Sequence, residues 1–279
     1  MPIFFNAKDL VKIVLFLFLL NASLWYKVLA FSAPQETEYY FLDVGQGDSQ
    51  LIIFGDGRGE TMRLLIDGGP GSKVISSLGK IFGVGDKYID LVLMTHPQLD
   101  HFGGLIDVLR TYEVGAFLGS GRGASISAYG ALISELKERN VPYIILDEGD
   151  EIKYRETKIN VLSPAPEKLK SKELNDTTIV LLSESSGVRA LFTGDIGFKI
   201  ESEIMKKYDI NADILKVPHH GSRYSSGASF LAEISPKVAV IGVGKNSYGH
   251  PTEDTISRIR KAGALLYRTD RDGTIHISL

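Results

Sequence analysis

Beyond residue 36 the chain runs as short apolar stretches broken by glycines, a pattern that predicts strands and brief helices. Strands are expected over residues 39–44 and 50–54, paired as a hairpin, then over 62–66, with a loop at 55–59. Further strands are expected over 91–94, 143–146, 158–162, 179–183, 190–193, 214–217, 238–243, 265–268 and 274–278. Apolar positions at helical spacing predict helices over 72–82, 105–110, 132–139, 199–207, 230–234 and 255–261. Asp272-Gly273 is a dipeptide suited to a tight turn and would join the last two strands as a hairpin. No linker rich in proline, glycine or serine divides this texture. One α/β domain over 37–279 is therefore expected, with two sheets sandwiched between helices.

The N-terminus differs. Lys8, Asp9 and Lys12 precede an apolar run over 13–31, close to the roughly 20 residues that span a bilayer as a helix. The charged start and the small residues Ala30, Ser32 and Ala33 also suit a signal peptide. Residues 1–36 are thus expected to be a signal peptide or a membrane anchor. With Lys8 and Lys12 favouring a cytoplasmic N-terminus, the remainder would be extracytoplasmic, secreted or held at the membrane. The net charge of −3 excludes a broadly basic nucleic-acid wrapper, but not an enzyme that grips a few phosphates. The chain has no cysteine, so any metal must be held by imidazole, carboxylate or amide groups.

Chemistry concentrates where predicted strands end. His96-Pro97-Gln98-Leu99-Asp100-His101 follows the strand at 91–94 and is expected to form a loop before a helix. Two imidazoles and a carboxylate suit a borderline divalent ion such as zinc or manganese, and Asp100 also suits a helix cap. Gly194-Asp195 places a carboxylate at another strand tip. His219-His220-Gly221-Ser222 ends a third, and neighbouring histidines there should point apart, leaving one as ligand and one toward substrate. Asn246-Ser247-Tyr248-Gly249-His250-Pro251 follows a fourth. Five of the six histidines thus fall just after strands.

These segments make the chain similar to the metallo-β-lactamase superfamily. His96-x-x-x-Asp100-His101 is a variant of its His-x-His-x-Asp-His signature. More narrowly, the chain resembles the hydrolase domain of ComEC-type DNA-uptake proteins. The matching blocks are Phe41-Leu42-Asp43-Val44-Gly45-Gln46-Gly47-Asp48-Ser49, Leu65-Ile66-Asp67-Gly68-Gly69, the four segments above and Thr269-Asp270-Arg271-Asp272-Gly273.

The resemblance implies an αββα sandwich and one or two divalent ions, zinc or manganese with magnesium as a further option. It implies His96 as a ligand of a first site and Asp100 and His101 as ligands of a second. Asp195 would bridge the two, and His220 would close the second site, with His250 as competitor. Gln98 stands where the signature's second histidine is usual. Asn175 or Asp176 lies near the place of a further missing ligand, so the first site is poorer in imidazole.

The implied activity is phosphodiester hydrolysis, most concretely of DNA, rather than of β-lactams. Asp100 would orient the nucleophile, and His219 or His250 would protonate the leaving oxygen. A wall-polymer esterase acting on phosphorylcholine and a non-catalytic metal-binding module are the alternatives. Phosphate is expected to sit at Gly221-Ser222, before a helix starting near Ser226, with Arg223, Lys245 or Arg122 as contacts or as plain surface cations. Asp48 is expected to bond backbone beneath the site, and Asp67 to support a ligand. A monomer is expected, with DNA, the membrane and a DNA-uptake channel as partners.

Overall fold

The computed structural model describes residues 7–31, 37–55, 60–83 and 85–278. An N-terminal helix, α1 (Ala7–Phe31), precedes the body. Its 25 residues correspond to roughly 37 Å. Leu10, Val14, Phe16, Phe18, Leu24 and Trp25 are all exposed, so its apolar side chains point outward on every side. Among the described residues no helix is long and apolar enough to cross a membrane. Residues 1–6 and 32–36, which the expected leader or anchor includes, lie outside the described residues, as do residues 56–59 of the expected loop.

The first sheet holds β1 (Glu38–Phe41), β2 (Gln50–Gly55), β3 (Thr61–Ile66), β4 (Tyr88–Met94), β5 (Glu113–Gly119) and β6 (Tyr143–Ile145). The second holds β7 (Glu151–Tyr154), β8 (Thr157–Ser163), β9 (Val180–Ser185), β10 (Val188–Phe192), β11 (Ile214–Lys216), β12 (Val238–Ile241) and β13 (Leu265–Arg268). The final strand, β14 (Ile275–Ser278), crosses back to pair with β1 at the edge of the first sheet. The expected hairpin at Asp272-Gly273 is therefore absent. Residues 269–272 form a helical turn instead, and the two flanking strands belong to different sheets. The hairpin of β1 and β2 is present.

Strand alternation builds the layers. Leu64 and Ile66 face the second sheet with Phe41, Leu93, Leu181 and Phe192, while Leu65 faces helices on the outside. Those helices are α2 (Lys73–Ile81), α3 (Leu99–Thr111) and α4 (Ser127–Glu138). On the far side α5 (Phe198–Met205), α6 (Ala228–Ile234) and α7 (Glu253–Lys261) cover Leu191, Leu215 and Ala239. The central strands are buried on both faces, which is why the sequence shows continuous apolar runs there rather than alternation. The result is an αββα sandwich. β10, β11, β12 and β13 run parallel, as do β3 to β6, so several strands deliver their C-terminal ends to one rim. Gly47 holds a loop tightly beneath that rim: at φ +146, a Cβ on it would lie 2.2 Å from the Asp100 carbonyl oxygen.

Candidate metal centre

β4 ends at Met94, and His96 follows in the turn. Asp100 and His101 lie in the first turn of α3, so the expected loop is a loop and a helix start together. Asp195 follows β10. His219 and His220 follow β11, both in left-handed backbone conformation with φ 50 and 51. Two such residues in succession cost energy that the surroundings must offset. Both side chains line the same cavity, with ring centroids 6.2 Å apart and planes at 75°. His220 is buried within it, and His219, 30% exposed, sits toward its mouth.

The side chains converge. His101 Nε2 lies 3.3 Å from Asp195 Oδ1, and His220 Nε2 lies 3.3 Å from Asp100 Oδ2 and 3.5 Å from Asp195 Oδ2. The His96 and His101 rings are 4.1 Å apart between centroids. The other ring nitrogens are already held: His101 Nδ1 by Asp67 at 2.8 Å, and His220 Nδ1 by the Gly242 carbonyl at 2.7 Å. Asp67 also accepts from the Thr95 amide and hydroxyl, so it fixes the orientation of His101, as expected of a supporting carboxylate. The Nε2 atoms of His96, His101 and His220 and Asp195 Oδ1 are buried with no hydrogen-bond partner in the protein. Unpaired buried donors and acceptors are costly, and a divalent cation shared by His101, Asp195 and His220 would satisfy three of the four. The residues fit such an ion.

Asp48, His101, Asp195 and His220 each bring one potential ligand atom to within 4.8 Å of the others. Asp48, however, lies on the Nδ1 side of the rings, 3.6 Å from His220 and 4.0 Å from His101. It supports the ligands from beneath. The expected bonding of its carboxylate to backbone is replaced by an ion pair with the Lys216 ammonium, which also donates to the Gly194 carbonyl. Lys216 is only 1% exposed. It was legible only as a polar residue inside an apolar strand.

Burial is the largest influence on each titratable group here, opposing charge on carboxyl and imidazole alike. Asp195 and Asp67 overcome it at His101, raising that ring well above the usual imidazole value of 6.5. Asp195 and Asp48 push His220 up to about 10. Conversely, the His220 imidazole 3.3 Å away and the charge of His101 bring Asp100 down to about 2. His96 is pushed down to about 3 by burial and the charge of His101. The carboxylates thus demand positive charge at this point.

In protein stripped of metal by a chelator, protons on His101 and His220 meet that demand. Their stabilisation is complete below about pH 6.5 and is lost as pH rises, that of His220 as pH climbs toward about 10. His96 acts in the opposite sense, but only below about pH 6.5. Chelated protein is therefore expected to lose thermal stability between about pH 7 and 10, and an added divalent ion to flatten the decline. An unchanged melting temperature across that window would contradict this electrostatic picture.

Residues 42–245 match the model of the metallo-beta-lactamase superfamily. The chain belongs to that superfamily. It is 31% identical over 258 residues to ComE operon protein 3 of Bacillus subtilis, covering 86% of this chain and 33% of that protein. It is 28% identical over 241 residues to competence protein ComA of Neisseria gonorrhoeae, covering 85% and 31%. The chain thus spans about a third of the length of each of these two relatives. Among solved structures, the metallo-beta-lactamase fold protein YhfI of Bacillus subtilis superposes with a TM-score of 0.57 at 12% identity, over 88% of this chain and all of that one. This is a metallo-beta-lactamase domain related to competence proteins.

Seen as a metallo-beta-lactamase domain, its departures form one connected feature. Gln98 donates to Asn175 Oδ1 at 2.7 Å, and Asn175 Nδ2 lies 3.4 Å from His219 Nδ1. Amides at the two histidine-poor positions therefore brace His219. Asp176, the other candidate, turns away to Ser171 and Lys199. The expected phosphate seat is corrected. The backbone amides of Ser226 and Gly227 are taken by the Glu201 carboxylate, so no anion is needed there. Burial raises Glu201 to about 7 despite those amides. Arg122 donates to the Ser171 carbonyl, while Arg223 and Lys245 are exposed. His250 lies at the cavity mouth, its ring 5.5 Å from that of His219.

Proposed function

We propose that this protein is an extracytoplasmic metal-dependent phosphodiesterase that cuts DNA, with α1 as leader or anchor. The observation that carries the reading is the convergence of His101, Asp195 and His220, whose ligand atoms are buried and unpartnered, beside a cavity of about 350 Å³ that Asp195 and His220 line. Relatedness to competence proteins supports DNA as the substrate. The outward apolar side chains of α1 support its role at a membrane. A donor set of imidazole and carboxylate without thiolate favours zinc or manganese.

A divalent ion held by these residues would supply a nucleophile at neutral pH and would offset charge developing on phosphoryl oxygens. Asp100, at the edge of the cavity, accepts a hydrogen bond from the attacking water and so aims it. His219 and His250 are both held below the usual imidazole value, chiefly by burial, and are neutral at neutral pH. With the Asn175 amide donating to His219 Nδ1, the ring proton lies on Nε2, the nitrogen facing Asp195. That N–H donates to the leaving oxygen as it gains charge.

The test is incubation of the purified full chain with manganese or zinc and single- or double-stranded DNA. Cleavage that is lost with chelator and in His96→Ala is expected. Equal behaviour of wild type and His96→Ala, with no cleavage of DNA or of a chromogenic phosphodiester, would overturn the reading.

A further inference from the structure

Tyr248 is large, aromatic and 71% exposed, yet it lines the mouth of the metal cavity. Its loop is not slack. The Asn246 side chain donates to the carbonyls of Gly244 and His250 and accepts from the amides of Tyr248 and His250, bracing the loop from inside. The Tyr248 ring sits 5.9 Å from that of His250 at an interplanar angle of 31°. His250 in turn meets His219, whose Nε2 is 3.8 Å from Asp195 Oδ2. A line of rings thus leads from solvent to the reacting centre. Exposed Arg223 lies two residues beyond Gly221, which packs against Pro251 next to His250 and whose carbonyl accepts from the Thr252 amide. The opposite lining includes the apolar groups Leu99 and Pro70.

A fixed aromatic face beside an exposed guanidinium is the pairing by which proteins hold unpaired nucleotides, the ring stacking a base and the cation meeting a phosphate. We propose that Tyr248 and Arg223 form a nucleotide subsite at the cavity mouth, where Tyr248 stacks a base flanking the phosphate to be cut. The proposal rests on the reading of the cavity as a DNA phosphodiester site and adds a preference. Bases within a duplex have both faces covered, so the subsite selects single strands.

The test is fluorescence-anisotropy titration of the full chain with a short labelled DNA strand, verified intact afterwards. A fully abasic strand of equal length and the matching duplex serve as comparisons. Wild type is expected to bind the intact strand about tenfold more tightly than either. Tyr248→Ala should erase that difference, while Tyr248→Phe should keep it. Arg223→Ala should weaken binding of intact and abasic strands by the same factor. The proposal falls if wild type binds no strand, if it does not distinguish intact from abasic, or if Tyr248→Ala retains the preference. Base-dependent binding without cleavage would leave the subsite standing and remove the hydrolase reading. Cleavage indifferent to Tyr248 would do the reverse.

Discussion

Replacing Lys216 with methionine is expected to lower the melting temperature by about 10 °C. The substitution preserves bulk but leaves the buried Asp48 carboxylate without its ammonium partner. Breaking a buried pair from one side costs roughly 3–5 kcal/mol, and each kcal/mol corresponds to a few degrees in a domain of this size. Space cannot relieve the strain: a Cβ on Gly242 would lie 2.2 Å from Asp48 Oδ1, so the carboxylate is walled in. Adding Asp48→Asn to Lys216→Met should recover part of the loss, because it removes the stranded charge. The same pair touches both His101 and His220, so metal affinity in Lys216→Met should fall by about 10- to 100-fold. Differential scanning fluorimetry and metal titration read the two effects separately. A single substitution with unchanged melting temperature would show that the pair contributes nothing.

Asp195→Asn should cost more in function than in folding. The carboxylate approaches His101, His219 and His220, and among the described residues no other carboxylate pairs with all three. Loss of groups that merely support ligands costs 10- to 100-fold in metal affinity or activity, so loss of this central carboxylate should exceed about 100-fold in both. A second signature follows. Asp195 is the leading charge that raises both His101 and His220. In the chelated variant those rings should release protons nearer the ordinary imidazole value, and the decline in stability between about pH 7 and 10 should shrink. Metal analysis showing a full complement in Asp195→Asn would overturn the assignment of this residue.

The sandwich was legible because strands buried on both faces leave continuous apolar runs, as at Leu64-Leu65-Ile66. The centre was legible because His96, Asp195 and His220 each follow such a run. β5 and β7 escaped notice: Gly115 interrupts the first, and the second is a short edge strand with exposed Glu151 and Lys153. Lys216 and Asp48 could not be paired from sequence, since nothing local relates positions so far apart. The Asp272-Gly273 turn misled for a similar reason. A local turn signal is overridden when the following strand finds its partner, β1, at the other end of the chain. Likewise the amides before α6 looked free for phosphate until Glu201, on a neighbouring helix, was seen to hold them.

The donors of the centre are spread along the chain in two instalments, and this orders events during synthesis. His96, Asp100 and His101 emerge with the first sheet, while Asp195 and His220 arrive with the second. The carbonyl that anchors His220 follows later still, at Gly242. A nascent chain that has completed only its first half therefore holds half a cage and grips an ion weakly. Tight capture waits until the two sheets have docked, so a firmly held ion certifies a finished molecule.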